Sequence, residues 1–249
     1  MSTFIPSPFS GVLPIGGGRS GRMPSLASWL GDRLHKALKL NFYNKRMNLH
    51  QQEPYALLEN QLKTHIQTFR RRYNIAPTAP LLDGWTERQV INWVLGGVRT
   101  FVAFTVREKI TWFIEEWPLD TIYLNDKGTL YTHLGEPDFI GYSERRKTYL
   151  VLDYKTADHT DAYFDNGRIH DPDKRDKLLG YAFGAKQKLK LQEGTIMKPI
   201  RVGYAVFIRD KVRGAGYAPK MVLVEEDASP RRLRRWLKRF LKNSSPQTG

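Results

Sequence analysis

The segment GEPDFIGYSERRKTYLVLDYKTAD, residues 135–158, contains two runs of apolar, aromatic and β-branched residues on either side of the charged group Ser143-Glu144-Arg145-Arg146. This pattern predicts an antiparallel hairpin with its turn at 143–147. The second run passes through Leu150-Val151-Leu152 and then presents Asp153 and Lys155. Because residues i and i+2 of a strand point to the same face, this carboxylate and this ammonium group should emerge side by side.

A second carboxylate, Asp138, lies near the start of the first run. If the hairpin forms, Asp138 and Asp153 come within reach of one ion. Two carboxylates and a backbone carbonyl form a hard oxygen site that suits Mg²⁺ or Mn²⁺. Such an ion can activate water against a phosphodiester, while Lys155 orients that water or stabilises charge on the phosphate oxygens. The alternative is an ordinary ion pair on a solvated face.

The composition favours an anionic polymer as partner. The 249 residues include 40 Lys plus Arg against 25 Asp plus Glu, a net charge of +15, which is typical of nucleic-acid-binding proteins, although a solvated basic surface is the alternative. The chain has no cysteine, which excludes disulfides, thiolate zinc sites and cysteine-ligated iron–sulfur clusters. Any metal therefore needs oxygen and nitrogen ligands.

The N-terminal segment shows no secretory signal. We expect no stretch to approach the apolar length of a membrane span, and residues 1–18 lack a charged region followed by a continuous apolar core. The sequence therefore predicts a soluble, cytoplasmic protein that needs no membrane. The absence of acidic residues before Asp32 is a faint organelle-targeting feature.

Hydrophobic periodicity predicts an α/β fold with a central mixed sheet flanked by helices. Helices are expected from residue 25, over about 54–73, over about 86–110, over 171–191 and over 229–242, with a meander of three or four strands between 112 and 156 and further strands at 200–210 and 220–227. We predict a flexible arm at 1–24, a single domain at 25–242 with a helical insertion at about 50–110, and a disordered tail at 243–249.

The closing helix combines an apolar stripe with a basic face. Leu233, Trp236, Leu237, Phe240 and Leu241 recur at helical spacing, and residues 231–242 carry seven Lys or Arg and no acid. We expect the stripe to pack on the core and the basic face to lie along a nucleic-acid backbone. A membrane-surface helix is the alternative.

The motifs resemble those of the PD-(D/E)XK nuclease superfamily, in particular its RecB-like branch. Gly135-Glu136-Pro137-Asp138 and Asp153-Tyr154-Lys155-Thr156 are similar to the Gly-x-x-Asp and Asp-Tyr-Lys-Thr signatures of that branch. Gly31 and His35 match its Gly-x-x-x-His, and Lys177 with Tyr181 resembles its Gln-x-x-x-Tyr with lysine in place of glutamine. The resemblance covers residues 25–210 approximately, and no motif matches the helices between 53 and 110.

This resemblance implies a restriction-endonuclease-like core and a Mg²⁺- or Mn²⁺-dependent deoxyribonuclease. The implied metal ligands are His35, Asp138, Asp153 and the Tyr154 carbonyl, with Lys155 as a catalytic residue. Lys177 and Tyr181 would hold the substrate. Glu116 would contribute next to the metal, and a surface acid on an edge strand is the alternative. For His35 the alternative is a hydrogen-bonded scaffold residue on a leucine-rich helix.

The resemblance further implies an exonuclease that acts on single- or double-stranded DNA in repair, recombination or replication, in a phage or similar element. The chain has no recognisable ATP-binding motif, so a helicase or another DNA-processing protein would act in trans. The competing hypothesis is a catalytically silent nucleic-acid-binding protein that retains the nuclease fold.

Overall fold

The computed structural model describes residues 23–46, 54–114, 118–125, 128–158, 169, 171–193, 198–209 and 218–244 of the chain. It contains five α-helices in the described residues: α1 (Leu26–Arg46), α2 (Pro54–Arg72), α3 (Glu87–Arg107), α4 (Pro172–Glu193) and α5 (Pro230–Ser244). The strands are β1 (Ile110–Ile114), β2 (Asp120–Asn125), β3 (Gly128–His133), β4 (Phe139–Ser143), β5 (Thr148–Ala157), β6 (Ile200–Ile208) and β7 (Lys220–Asp227). A short 3₁₀ turn, Leu82–Gly84, connects α2 to α3.

A five-stranded mixed sheet with the order β1-β4-β5-β6-β7 forms the centre of the fold. The β5–β6 pair is parallel, with α4 between the two strands in sequence, and the other neighbouring pairs are antiparallel. A parallel pair needs such a crossover, whereas an antiparallel pair can be joined by a tight turn. The predicted fold class, α/β with a central mixed sheet flanked by helices, is confirmed.

The predicted meander differs from the observed pairing. Five strands occupy residues 110–157, and β2 pairs only with β3 in a separate two-stranded sheet among the described residues. The register Asn125↔Gly128 closes this pair as a tight hairpin, so β2 and β3 satisfy each other locally. As a result β1 pairs with β4 and not with its neighbour in sequence.

Alternating residues of β5 divide the interior into two cores. Leu150, Leu152 and Tyr154 pack with α1, α2 and α3 in one hydrophobic cluster. Tyr149, Val151 and Ala157 pack with α4 and α5 in the other. Since Asp153 and Lys155 share the parity of the second group, they face the α4 side of the sheet.

Helix α3 belongs to the core of the fold. Its N-terminus is a capping box in which Thr86 and Gln89 bond each other's backbone amides, and Val90, Val94 and Phe101 are fully buried. Contrary to the expectation that no stretch approaches a membrane span, Glu87–Arg107 is long and apolar enough for one. In that window 61% of the helix is buried inside the fold, as in the core helix of a soluble protein.

The predicted chain ends fall largely outside the described residues. Residues 1–22 of the predicted arm and 245–249 of the predicted tail are in this position. Asn243 and Ser244, which we assigned to the tail, belong to the last turn of α5. A run of good helix formers up to Lys242 extends the helix beyond its last apolar residue.

The basic turn at 145–147 is structural in part. Arg145 and Arg146 pair with Glu108, a carboxylate in a residue that is 1% exposed. Arg146 also binds Glu225. These guanidinium groups neutralise a buried charge that would otherwise be costly, so the turn contributes to the fold at the β4–β5 connection.

Candidate metal and substrate site

The two motif aspartates lie at the same end of the β4–β5 pair. The last observed pair of the register is Phe139↔Leu152. Asp138 directly precedes the first of these residues, and Asp153 directly follows the second. The Asp138 carboxylate turns toward β5, where its Oδ2 accepts a hydrogen bond of 2.5 Å from the Tyr154 amide.

Gly31 brings α1 close enough to β5 for His35 to reach this point. A Cβ atom at Gly31 would lie 2.9 Å from the Thr156 hydroxyl oxygen, and that hydroxyl donates to the Ala27 carbonyl at 3.3 Å. One helical turn later His35 Nε2 lies 3.0 Å from the Tyr154 carbonyl oxygen. The Gly-x-x-x-His spacing therefore has a physical reason: the glycine permits contact and the histidine exploits it.

The imidazole of His35 bridges the Tyr154 carbonyl and the Asp138 carboxylate. Its Nδ1 lies 3.5 Å from Asp138 Oδ1. Because a carbonyl can only accept, Nε2 must carry a hydrogen, and a second donor at Nδ1 toward Asp138 requires the imidazolium form. Burial disfavours that charge, but the Asp138 carboxylate outweighs burial and raises the pKa of His35.

The same contacts act on Asp138 in the opposite direction. Burial raises the pKa of the carboxyl, but the His35 ring and the Tyr154 amide favour the ionised form, and the net pKa of Asp138 lies below its ordinary value. Each of the two groups therefore favours the charged form of the other. A divalent ion would take the place of the histidine proton, because a metal-bound imidazole must be neutral.

Asp153 is held by two lysines on the α4 side of the sheet. The residue is 4% exposed, its Oδ2 forms an ion pair with Lys155 Nζ, and its Oδ1 lies 3.8 Å from Lys177 Nζ. Lys155 is also positioned over the ring of Tyr204, with 5.7 Å between Nζ and the ring centroid. Two cations beside one buried carboxylate compensate its charge and fix its position near the end of β5.

Helix α4 adds Tyr181 to the same region. Gly135, with φ of +96°, is in contact with this ring, and a Cβ atom there would be 2.9 Å from Tyr181 Cε1. Lys177 Nζ lies 5.2 Å from the centroid of the same ring. Burial, followed by the negative charges of Asp153 and Asp138, raises the pKa of Tyr181, which places the phenol in the field of both carboxylates.

The structure thus assembles most of the predicted residues in two adjoining groups. His35, Asp138 and the Tyr154 carbonyl form one, and Asp153, Lys155, Lys177 and Tyr181 form the other. Glu116 lies outside the described residues. Among those that are described, no set of three or more His, Asp or Glu side chains stands close enough to hold a metal ion.

Three supporting residues had no role assigned from the sequence, although Gly135 and Thr156 belong to the quoted motifs. Thr156 fixes α1 through Gly31, Tyr204 lies beneath Lys155, and the positive φ of Gly135 seats Tyr181. The Gly-x-x-Asp pattern did signal the role of Gly135, since glycine readily adopts a positive φ that other residues rarely adopt. Tyr204 gave no signal, because its position depends on the β5–β6 register.

Comparisons with known proteins leave the family open. No protein-family model and no curated protein sequence matches the chain. Three solved chains match by structure, among them the crystal structure of SSO0001, with 12% sequence identity, 86% of each chain covered and a TM-score of 0.29.

Proposed function

We propose that this protein is a Mg²⁺- or Mn²⁺-dependent DNA nuclease that hydrolyses phosphodiester bonds. The observation that carries the proposal is the convergence at the end of β5. There, Asp138 and His35 meet the Tyr154 backbone while Asp153 presents its carboxylate beside Lys155. An ion pair that served stability alone would not need a second carboxylate and an imidazole at the same backbone position.

The donor atoms fit a hard divalent cation. Carboxylate and carbonyl oxygens with one imidazole nitrogen suit Mg²⁺ or Mn²⁺ and exclude a thiolate-dependent metal. His35, Asp138, Asp153 and the Tyr154 carbonyl would hold the ion. As they stand, the three side chains do not form a metal-binding group among the described residues, so the Asp153 carboxylate would have to leave a lysine contact and move toward the other ligands. When bound, the ion would supply an activated water and charge neutralisation at the phosphate.

The remaining residues have roles that follow from their contacts. Lys155, 29% exposed at its side chain, can hold the attacking water or donate to a phosphate oxygen as charge develops. Lys177, 51% exposed, can leave Asp153 for a backbone phosphate, as a charge contact in place of the amide of the resembling motif. Tyr181 is buried and can donate its phenolic hydrogen in this region, because its raised pKa keeps it protonated.

The proposal extends to the biological setting that the motif resemblance implies. DNA with free ends would be the substrate of an exonuclease in repair, recombination or replication, with a helicase or similar partner supplied in trans. A cytoplasmic location is consistent with an apolar helix buried inside the fold. The basic face of α5, whose apolar residues Leu233 and Trp236 are buried on the core, would lie toward the nucleic acid.

The decisive experiment is digestion of labelled linear and circular DNA, single- and double-stranded, in Mg²⁺, Mn²⁺ or EDTA. The native chain is compared with Asp153→Asn and Lys155→Ala, and with Glu59→Gln as a control on an exposed acid of α2. We expect cleavage with either metal, loss in EDTA and in both site variants, and full activity in the control. Cleavage of linear but not circular substrates would support exonuclease action.

Cleavage that survives both site substitutions would overturn the assignment of this site. DNA binding by the native chain without cleavage in either metal would replace the proposal with the silent binding protein. One observation favours this second function. Lys155 and Lys177 already neutralise the Asp153 carboxylate, which a metal ion would need as a ligand.

A further inference from the structure

A cavity lined by arginines lies between α4 and α5, apart from the site described above. Its volume is about 350 Å³, and Pro172, Arg175, Asp176, Leu179, Arg232, Arg235 and Arg239 line it. A volume of this size lies within the range of about 300–1,000 Å³ typical of ligand pockets. Four guanidinium groups around one cavity repel each other unless anions lie between them.

Protein carboxylates satisfy these arginines only in part. Arg175 and Arg232 both bind Glu226, and Arg175 also donates to the Ile169 carbonyl, so these two are fixed by the fold. Arg239 pairs with Asp176 at 2.6 Å, with more than 40% of each side chain exposed. Arg235 has no ion-pair partner among the described residues, and it is exposed at the cavity wall. Two carboxylates against four arginines leave two positive charges in excess.

We propose that this cavity binds a phosphate of the nucleic-acid backbone, with Arg235 as the principal donor and Arg239 as a second donor released from Asp176. Guanidinium groups match the paired oxygens of a phosphate and remain charged at every physiological pH. The inference rests on nucleic acid being the partner, as proposed above, but it does not require cleavage.

The position on α4 separates this phosphate from the scissile one. Lys177 and Tyr181 face Asp153 on the β5 side, whereas Arg175, Asp176 and Leu179 face α5. Residues 175 and 177 differ by about 200° around a helix. The cavity would therefore hold a flanking part of the strand and orient it before the reactive phosphate reaches Lys155.

The test measures binding without cleavage. Fluorescence anisotropy of a labelled oligonucleotide in EDTA, over a range of salt concentrations, compares the native chain with Arg235→Gln. Arg234→Gln is the matched control, because it removes the same charge from the preceding residue of α5, which is exposed and does not line the cavity. Circular dichroism of each variant checks that α5 remains docked.

We expect Arg235→Gln to weaken binding about tenfold and to reduce the slope of log affinity against log salt by about 0.7 on single strands, with a smaller effect of Arg234→Gln. A neutral methylphosphonate can replace each phosphate of the oligonucleotide in turn. At one flanking position it should weaken binding by the native chain and leave the affinity of Arg235→Gln unchanged. Equal effects of the two substitutions, or no such position, would overturn the cavity as a backbone site.

A titration with inorganic phosphate tests whether the cavity binds a free anion and not a phosphate of the nucleic-acid backbone. If free phosphate shifts the arginine side-chain NMR signals of the native chain at low millimolar concentration, and Arg235→Gln abolishes that shift without altering oligonucleotide affinity, the ligand is a free anion and the proposal is wrong. Unchanged DNA binding by Arg235→Gln together with intact cleavage would leave the nuclease function standing, so the two proposals fail separately.

Discussion

At Gly135 the backbone has a φ of +96°, and the missing side chain leaves room for the Tyr181 ring. Gly135→Ala should therefore both strain the backbone and displace the ring. Left-handed backbone at a residue other than glycine costs about 1–2 kcal/mol, and the overlap at 2.9 Å adds to it. We expect a lower free energy of unfolding in urea. We also expect weaker DNA cleavage, because the Tyr181 ring is displaced from its position in the site.

Gly84→Ala provides the matched control for this substitution. Gly84 also has a positive φ, +76°, but a Cβ atom there meets nothing within 4 Å. The difference between the two variants therefore measures the contact with Tyr181, apart from backbone strain. Equal loss of stability in both variants, with unchanged cleavage in Gly135→Ala, would show that the contact has no role in the site.

His65 on α2 should make stability depend on pH. Burial, followed by the positive charges of Arg33 and Lys36, lowers the pKa of His65 to about 4. Between pH 6.5 and 4 the unfolded chain takes up a proton that the folded chain does not. The contribution of this residue is therefore present above pH 6.5 and is lost as the pH falls toward 4.

The measurement is the free energy of unfolding as a function of pH in the native chain and in His65→Gln. We expect the native chain to lose stability relative to the variant as the pH falls from 6.5 toward 4, because the variant lacks the protonation of the unfolded chain that destabilises the native fold. The comparison isolates His65 from His35, whose raised pKa acts in the opposite direction. Parallel curves would refute the assignment.

At the scale of elements, α5 depends on Trp236 for its attachment. The indole is 4% exposed and packs on Phe183 and Phe240, with ring centroids 5.6 and 5.1 Å away. Trp236→Ala should cost about 3–5 kcal/mol of unfolding free energy, whereas Lys238→Ala on the exposed face should change it by less than about 0.5 kcal/mol. Urea unfolding followed by far-UV circular dichroism measures both.

This substitution also separates docking from charge. The two cores lie on opposite faces of one sheet. If Trp236→Ala detaches only α5, the α1–α3 side should stay folded, and urea unfolding should show an additional transition at low urea. A single transition with a slightly lower midpoint would mean that α5 contributes little to the stability of the α4 side. DNA affinity should fall with Trp236→Ala, because the arginines of α5 lose their fixed positions.

The elements that sequence predicted well are those with local signals. Helix α5 begins at Pro230, one residue after the predicted start at 229, and the β4–β5 hairpin forms around its charged turn. The pairing of β1 with β4 was not predictable, because strand partners are chosen by long-range packing. The functional residues divide in the same way. Asp138 and Asp153 could be found from the local hairpin, whereas Arg175 and Arg235 come together only when α4 and α5 pack against each other.

At the scale of the whole molecule, three parts of the chain far apart in sequence build the proposed metal site. Helix α1 supplies His35, the residue before β4 supplies Asp138, and β5 supplies Tyr154 and Asp153. Such a site exists only in the folded chain, so a bound ion should stabilise the fold through mass action. This readout needs no DNA and no catalytic turnover.

We expect Mn²⁺ at about one hundred times its dissociation constant to stabilise the native chain by about 2.7 kcal/mol, seen as a rise in the thermal midpoint that EDTA reverses. His35→Ala should keep the fold and lose most of the rise, since it removes one donor and the partner of Asp138. Glu59→Gln, which removes a charge from an exposed pair on α2, should retain the full rise. If His35→Ala melts far earlier without metal, yet gains as much from Mn²⁺ as the native chain does, then the histidine supports the scaffold and the ion binds elsewhere.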